Sequence, residues 1–275
     1  MNIPHRRPAL AWALSLLLAA LAAGPVTAQT PTPHEGGIGV VVMHGKGGDP
    51  NKFVPPLASA LKEQGWQVTN LEMPWSGRRD YDVPVRQAVA EVDAALQAMR
   101  AQGARKLFIA GHSLGGLFTF YLGSQLKVDG LIAIAPGGSP ASMVYRDKLG
   151  DTLQEARRLV TEGKGTDKVR LLDYEGSRGT YPIVTPPAAY VDWFDPAGAL
   201  NQTAALEHLD PATPVLLVVP TRDYPALLRL KQATAAALPR HPQTRLYEPD
   251  ASHLEAPAVA APEIIRWIQA VAGTR

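Results

Sequence analysis

The amino-acid sequence predicts an α/β fold in which a mostly parallel β-sheet is covered by helices on both faces. Short apolar runs alternate along the chain with segments of helical period, as expected for strands joined by crossover helices. Most of these runs lack polar alternation, so we expect the strands to be buried on both faces. Residues 29–275 are long enough to bury a full core as one domain.

The apolar runs place six strands, and the periodic segments place five helices between and after them. The predicted strands are residues 38–43, 67–71, 106–110, 130–135, 214–219 and 244–247, and the predicted helices are residues 51–64, 84–102, 114–125, 225–238 and 257–272. Pro84, Pro225 and Pro257 suit the first turn of a helix, where the missing N–H costs nothing.

A long stretch interrupts this alternation between the fourth and fifth predicted strands. It contains a charged helical segment at residues 145–162, a β-like segment at residues 169–174, and then the proline- and aromatic-rich "GTYPIVTPPAAYVDWFDP". A loop this long inside a compact domain is usually functional or an inserted subdomain. We therefore expect residues 140–212, called the cap below, to form an insertion over the open end of the sheet.

The first 28 residues are predicted to be a signal peptide. Arg6 and Arg7 precede an apolar run over residues 8–23, and "VTA" at residues 26–28 has the form of a cleavage site. An apolar run this short favours an export signal over an uncleaved membrane anchor. We expect an exported protein, periplasmic or secreted, with no stable membrane span after signal cleavage.

The composition excludes several kinds of chemistry. The sequence contains no cysteine, which excludes disulfides, thiolate catalysis and cysteine-ligated zinc. Its 27 Lys and Arg nearly balance its 25 Asp and Glu, without a basic stripe interleaved with aromatics, so we expect no nucleic-acid partner. His34, His208 and His241 lack the spacing of metal ligands, and we expect neither a metal nor a cofactor.

The segment "GHSLGG" places Ser113 where a predicted strand meets a predicted helix. Gly111 and Gly115 flank the serine in the G-x-S-x-G spacing, which permits a sharp turn with the serine at its apex. Ligands of open parallel sheets bind outside the carboxyl ends of the strands. The spacing therefore favours a hydroxyl presented to a substrate, with a plain tight turn as the alternative.

A serine nucleophile needs a base that a third group orients. Asp223 follows the predicted strand in "PVLLVVP", and His253 follows the next one, in "TRLYEPD". We predict Ser113 as nucleophile, His253 as general base and Asp223 as the group that orients it. Asp223 could instead cap the helix predicted after it, and Asp195 in "WFDP" is the other carboxylate considered for the role.

Two backbone amides are predicted to receive the oxyanion of an acyl-transfer reaction. The first belongs to Leu114, directly after the nucleophile and at a helix N-terminus. The second belongs to the loop "HGKGG" after the first predicted strand, where the amide of Lys46 is the first choice and that of Gly47 the second. His44, Gly45 and Gly47 are expected to support this loop, His44 by hydrogen bonding rather than as a base.

Four elements together resemble the α/β-hydrolase superfamily: "HGKGG", "GHSLGG", Asp223 after its strand, and His253 before a terminal helix. The similarity runs from about Gly36 to the C-terminus, the cap excepted, and is closest to the compact esterase/lipase-like or dienelactone-hydrolase-like branch. This resemblance implies hydrolysis of a small-molecule ester or acyl substrate through an acyl-enzyme. The strands that usually precede "VVMHG" are absent, so we expect a small sheet of about six strands.

Two other functions fit the same residues. An amidase or peptidase would use the same triad, and a non-catalytic binding protein could retain the same fold. Arg78 and Arg79 could bind an acidic substrate or belong to a solvated loop. Five aromatic residues could line a pocket or pack the cap onto the core: Trp75, Tyr181, Tyr190, Trp193 and Phe194.

Overall fold

A computed structural model of the protein describes Met1 and residues 37–273. Apart from Met1, the predicted signal peptide and its cleavage site lie outside the described residues. The strands and helices of residues 37–273 are, in chain order, β1 (Gly37–Met43), α1 (Pro55–Glu63), β2 (Gln67–Leu71), α2 (Val85–Ala101), β3 (Ala104–His112), α3 (Leu114–Gln125), β4 (Gly130–Ile134), α4 (Met143–Thr161), β5 (Val169–Glu175), β6 (Gly179–Thr185), α5 (Pro187–Phe194), α6 (Gln202–Glu207), β7 (Val215–Val218), α7 (Pro225–Ala237), β8 (Arg245–Tyr247), α8 (Ala256–Val259) and α9 (Ala261–Gly273).

Six strands of residues 37–273 form one parallel sheet in the order β2-β1-β3-β4-β7-β8. All six predicted strands occur in it, with bounds that differ from the prediction by two residues or fewer. The predicted α/β class with a small parallel sheet is confirmed.

The side chains of the central strands alternate between two apolar clusters, one on each face of the sheet. In β1, Val41 and Met43 pack into the cluster that contains Phe118. Val40 of the same strand packs into the cluster that contains Trp267. Because helices cover both faces, the central strands β4 and β7 are apolar along their whole length and β1 and β3 along most of it, which is the pattern that predicted the fold.

Two predicted helices differ from the observed ones for reasons of backbone chemistry. The helix expected from residue 51 begins only at Pro55, after Phe53, whose φ of 65° is incompatible with a right-handed helix. The helix expected over residues 257–272 is divided into α8 and α9 near Ala260. Pro262 has no N–H to continue the hydrogen bonds of α8, and it lies in the first turn of α9, where that N–H is not needed. Pro84 is the N-cap residue of α2 rather than part of its first turn.

The cap contains α4, an antiparallel hairpin of β5 and β6, α5 and α6. The sequence predicted α4 and β5 but left β6, α5 and α6 undefined. The hairpin forms a two-stranded sheet separate from the central sheet. None of the helices in the described part of the chain is both long and apolar enough to cross a membrane.

Candidate active site

Ser113 occupies a strained turn between β3 and α3. Its φ of 56° and ψ of −115° lie outside the regions that L-residues ordinarily adopt. Three backbone hydrogen bonds hold it there: its N–H donates to Ile134 O at 2.8 Å, and its carbonyl accepts from Leu117 N–H at 3.0 Å and from Gly137 N–H at 3.2 Å. A Cβ atom on Gly111 would lie 2.1 Å from the carbonyl oxygen of Gly115. Glycine at position 111 is therefore a steric requirement of the turn.

Backbone pairing beyond the ends of β7 and β8 brings Asp223 and His253 to the same edge. Thr221 N–H donates to Pro249 O at 2.9 Å, and Arg222 N–H donates to Ala251 O at 3.1 Å. Arg222 and Ser252 form a parallel β-bridge, and Asp223 and His253 are the residues that follow it. The parallel register explains why two residues 30 positions apart meet side by side.

The three side chains predicted as a triad form one hydrogen-bonded chain. His253 Nε2 lies 3.0 Å from Ser113 Oγ, and His253 Nδ1 lies 2.7 Å from Asp223 Oδ1. The side chain of Asp223 is fully buried and that of His253 is 7% exposed, whereas Ser113 is half-buried. A carboxylate on Nδ1 leaves Nε2 free to accept the serine proton, which is the arrangement that activates a serine.

The alternative roles considered from the sequence are not supported by these contacts. Asp195 pairs with Arg157 at 3.1 Å, and both side chains are exposed. Asp223 does not cap α7, since the residue that precedes α7 is Tyr224, which makes no side-chain capping hydrogen bond. Among the described carboxylates, Asp223 is the one in contact with the His253 ring.

His112 holds the backbone of His253. The His112 ring is buried, and its Nε2 lies 2.9 Å from the carbonyl oxygen of His253. Burial, and then the nearby His253, lower the pKa of His112 to about 3. The neutral ring therefore donates its Nε2 proton to that carbonyl, and its Nδ1 has no hydrogen-bond partner among the described residues.

His44 stabilises the loop of residues 44–48 through hydrogen bonds of its ring and its carbonyl. His44 is fully buried; its Nδ1–H donates to Gly45 O at 2.7 Å, and its Nε2 accepts from Met73 N–H at 3.0 Å. Its carbonyl accepts from the Trp75 indole at 2.8 Å. Burial lowers the pKa of His44. A neutral ring with both nitrogens occupied fits a supporting role rather than that of a base.

Two backbone amides are available beside the nucleophile. A Cβ on Gly45 would lie 3.0 Å from Ser113 Cβ, so this loop passes directly over the serine. The Gly47 amide, the second candidate to receive the oxyanion, already donates to Trp75 O at 2.9 Å, so it does not fit that role. Within residues 37–273, the amides of Lys46 and Leu114 donate to no other protein group.

The side chain of Lys46 makes contacts that the sequence did not predict. Its Nζ donates to Asp173 Oδ1 at 2.6 Å, to Tyr145 OH at 3.1 Å and to the carbonyl of Tyr174 at 3.1 Å. The side chain is 7% exposed and that of Asp173 is fully buried. Burial alone would lower the pKa of the ammonium, but the adjacent Asp173 carboxylate raises it above its ordinary value. The Lys46 ammonium therefore stays protonated.

The sequence contained only a weak signal for this pair. A lysine stands among the glycines of "HGKGG", and Asp173 interrupts an otherwise apolar alternation in "VRLLDYE". In β5, Leu171 and Asp173 are buried whereas Leu172 between them is exposed, so the period of the strand places the carboxylate inward. A charged residue on the buried face of a strand predicts a partner but does not identify it.

Most of the other candidate residues serve packing or surface ion pairs. Trp193 is buried and donates its indole N–H to Val83 O at 2.7 Å, and Tyr190 donates to Leu172 O at the same distance. Arg79 forms ion pairs with Glu91 and Asp82, and Arg78 forms one with Glu72. These contacts favour the interpretation of Arg78 and Arg79 as part of a surface loop.

Tyr224 also lies beside His253, and no motif in the sequence indicated it. Its ring centroid lies 4.6 Å from that of His253, and the tyrosine is 42% exposed, so it covers one side of the imidazole.

A separate cavity of about 390 Å³ lies between α4 and the end of α5, with Tyr145 and Phe194 in its wall. Ser113, Asp223 and His253 do not line this cavity, so the cavity is separate from the hydrogen-bonded chain that these three side chains form.

Comparisons with known proteins show that the chain is similar in sequence to hydrolases. A model of the alpha/beta hydrolase family matches residues 8–265. The esterase EstD of Thermotoga maritima is 27% identical over 121 residues, which are 40% of this chain and 29% of that esterase. The chain thus spans under a third of the length of this relative.

Two solved structures resemble the fold. The monoacylglycerol lipase of Paleococcus ferrophilus has a TM-score of 0.60 at 20% identity, covering 86% of this chain and 96% of the lipase. The alpha/beta hydrolase GrgF of Penicillium sp. sh18 has a TM-score of 0.64 at 14% identity, covering 87% of this chain and 91% of the other. At these identities the likeness shows the fold alone.

Proposed function

Because the chain belongs to the alpha/beta hydrolase family, we propose that it is a serine hydrolase that cleaves carboxylic esters through an acyl-enzyme. The observation that carries the proposal is the chain of hydrogen bonds from Ser113 through His253 to Asp223. It lies at the carboxyl ends of β3, β7 and β8, where open parallel sheets bind their ligands.

The proposed mechanism assigns each group a step. His253 Nε2 takes the proton of Ser113 as Oγ attacks the substrate carbonyl, and Asp223 stabilises the imidazolium that forms. The amides of Leu114 and Lys46 donate to the oxyanion of the tetrahedral intermediate. His253 then protonates the leaving alcohol, and a water attacks the acyl-enzyme by the same steps to release the acid.

An ester substrate is supported by the name of one relative, the esterase EstD. A panel of p-nitrophenyl esters of increasing acyl length, assayed beside peptide p-nitroanilides, tests this choice. We expect turnover of the esters at a kcat/KM at least about 100-fold above that of the anilides. Faster turnover of the anilides would favour the amidase or peptidase alternative.

The role of the serine is tested with the same assay. Ser113→Ala removes only the hydroxyl and is expected to abolish ester turnover. Ser177→Ala, which truncates an exposed serine in the β5–β6 turn, is the matched control and should retain full activity. Equal activity of Ser113→Ala and the control would refute the mechanism.

We also propose that the protein is exported, on the strength of the signal-like pattern of residues 1–28. Fractionation of the native host, with N-terminal sequencing of the mature protein, tests this. We expect a chain that begins near Gln29 in the periplasm or the medium. Recovery of the intact N-terminus in the cytoplasm would refute export.

A further inference from the structure

We propose that Lys46 and Asp173 are positioning residues of the hydrolytic reaction. Their buried ion pair fixes the loop of residues 44–48 to the cap and thereby sets the position of the Lys46 amide over Ser113. This inference rests on the proposed function, in which that amide receives the oxyanion. It assigns to the cap hairpin a direct part in forming the oxyanion site.

The hydrogen bonds around the pair are complete, which excludes a role for the ammonium in binding substrate. An ammonium has three donors, and those of Lys46 are directed to Asp173, Tyr145 OH and the Tyr174 carbonyl. Their acceptors all belong to the cap, on α4 and β5. The Lys46 side chain thus connects the loop to the cap and has no donor left for a ligand.

The carboxylate is equally well satisfied. Asp173 Oδ1 accepts from Lys46 and from the Tyr174 amide at 2.6 Å, and Oδ2 accepts from Tyr81 OH at 3.2 Å and Tyr181 OH at 2.9 Å. Burial raises the pKa of Tyr81 and of Tyr181, with Asp173 adding to the effect, so both phenols stay protonated as donors. Tyr81 follows β2 in the core, so Asp173 is held from the core as well as from the hairpin.

The Lys46 amide needs such an anchor because the residues on both sides of Lys46 are glycines. Gly45 and Gly47 flank Lys46, and Gly47 adopts a left-handed φ of 61°. Glycines allow the backbone many conformations, whereas an oxyanion donor is effective only when it is held in place beforehand. Gly47 is held by its bond to Trp75 O, and the Gly45 carbonyl is held by its bond from His44 Nδ1–H. The tethered Lys46 side chain restrains the amide between the two glycines.

Stability alone does not explain this pair. Replacing both partners of a buried ion pair by apolar side chains of similar volume is often neutral for stability, whereas removing one partner leaves the other charge buried and unpaired. A double replacement by apolar residues therefore separates positioning from folding. The informative variant is Lys46→Met combined with Asp173→Leu. Its companion is Lys46→Met combined with Asp173→Asn, which also removes both charges but keeps an acceptor for the Tyr174 amide.

The experiment measures kcat and KM for the best p-nitrophenyl ester and the inhibition constant of a trifluoromethyl ketone with the same acyl group. The ketone forms a hemiketal with the serine, and its oxyanion occupies the site of the amides. Removal of one oxyanion donor costs about 10²–10³ in rate. We expect the double variant to lose about 10- to 100-fold in kcat with KM changed less than 3-fold, and to bind the ketone correspondingly more weakly. We expect the variant with Lys46→Met and Asp173→Asn to show a loss of the same kind.

The control is Arg158→Gln, which removes exposed ion pairs of Arg158 with Glu155 and Glu162 on the same cap helix. This variant should leave kcat, KM and the inhibition constant of the ketone unchanged. Wild-type kcat and ketone affinity in the folded double variant would overturn the inference, as would a loss confined to KM. If the variant with Asp173→Leu fails to fold, the variant with Lys46→Met and Asp173→Asn decides the matter by the same criteria.

Failure of this inference is distinct from failure of the proposed function. Ser113→Ala is assayed in parallel. If it is inactive and the Lys46 and Asp173 variants behave as wild type, only the positioning role is wrong. If Ser113→Ala retains wild-type turnover, the acyl-enzyme mechanism fails and the positioning role fails with it.

Discussion

The Nε2 atom of His112 lies 2.9 Å from the carbonyl oxygen of His253, so the residue before the proposed nucleophile holds the backbone of the proposed base. The two rings are adjacent, with centroids 5.0 Å apart. This contact joins the end of β3 to the loop after β8 across the site. A shift of one of these segments relative to the other would therefore stretch the Ser113–His253 hydrogen bond.

The buried His112 predicts a loss of stability at acid pH. The folded protein keeps this ring neutral down to about pH 3 because burial lowers its pKa, whereas the unfolded chain takes up the proton below about pH 6.5. The unfolded state thus binds more protons between these values, and the free energy of unfolding falls as the pH is lowered through them. The loss is at most about 1.4 kcal/mol per pH unit.

Urea denaturation of the wild type and His112→Gln at pH 7.5 and 5.5 measures this effect. We expect the wild type to lose about 1 kcal/mol more than the variant over this interval. The pKa of His44 is also lowered, but His44 is present in both proteins, so its contribution cancels. An equal loss in the two proteins would show that His112 has the same pKa in the folded and the unfolded state, and would contradict the lowered pKa.

Asp223→Asn is expected to lower kcat by about 10³–10⁴-fold with little effect on the melting temperature. An asparagine at this position can donate to His253 Nδ1 and so favours the tautomer whose Nε2 carries the proton, which cannot accept the serine proton. Steady-state kinetics with the best ester measures the effect. Asp195→Asn, which changes the alternative carboxylate, should retain activity within 2-fold. The reverse outcome would assign the orienting role to Asp195.

Two glycine substitutions should change stability in opposite directions. A Cβ on Gly111 would lie 2.1 Å from Gly115 O and 2.6 Å from Thr119 Oγ1, so Gly111→Ala should lower the free energy of unfolding by more than about 2 kcal/mol. Gly150 lies inside α4 with no atom within 4 Å of an added Cβ. Gly150→Ala should therefore raise that free energy by about 0.5–1 kcal/mol. Denaturation curves that show the two changes alike would contradict the packing described for the turn.

The sequence predicted the sheet and the meeting of Ser113, His253 and Asp223 because both follow from local patterns. Buried strands are apolar runs, and residues just beyond the ends of parallel strands share one edge of the sheet. Each prediction therefore required only the position of a residue relative to its own strand.

The contacts of Lys46 with the cap could not be predicted in this way. Lys46 and Asp173 are 127 residues apart, and neither belongs to a motif that specifies the other. Their meeting depends on the path of the cap, where the proline- and aromatic-rich stretch around β6 and α5 carries no clear period. The division of α8 from α9 had a local signal in Pro262, because a proline inside a helical pattern marks a break.

The central claim is that Ser113 is a nucleophile, and covalent labelling tests it most directly. The purified protein is treated with a fluorophosphonate, digested, and mapped by mass spectrometry, with Ser113→Ala as the control. The account predicts one adduct per chain, on the peptide that contains Ser113, together with loss of ester hydrolysis and no labelling of the variant. An adduct on another residue, or equal labelling of Ser113→Ala, would contradict it.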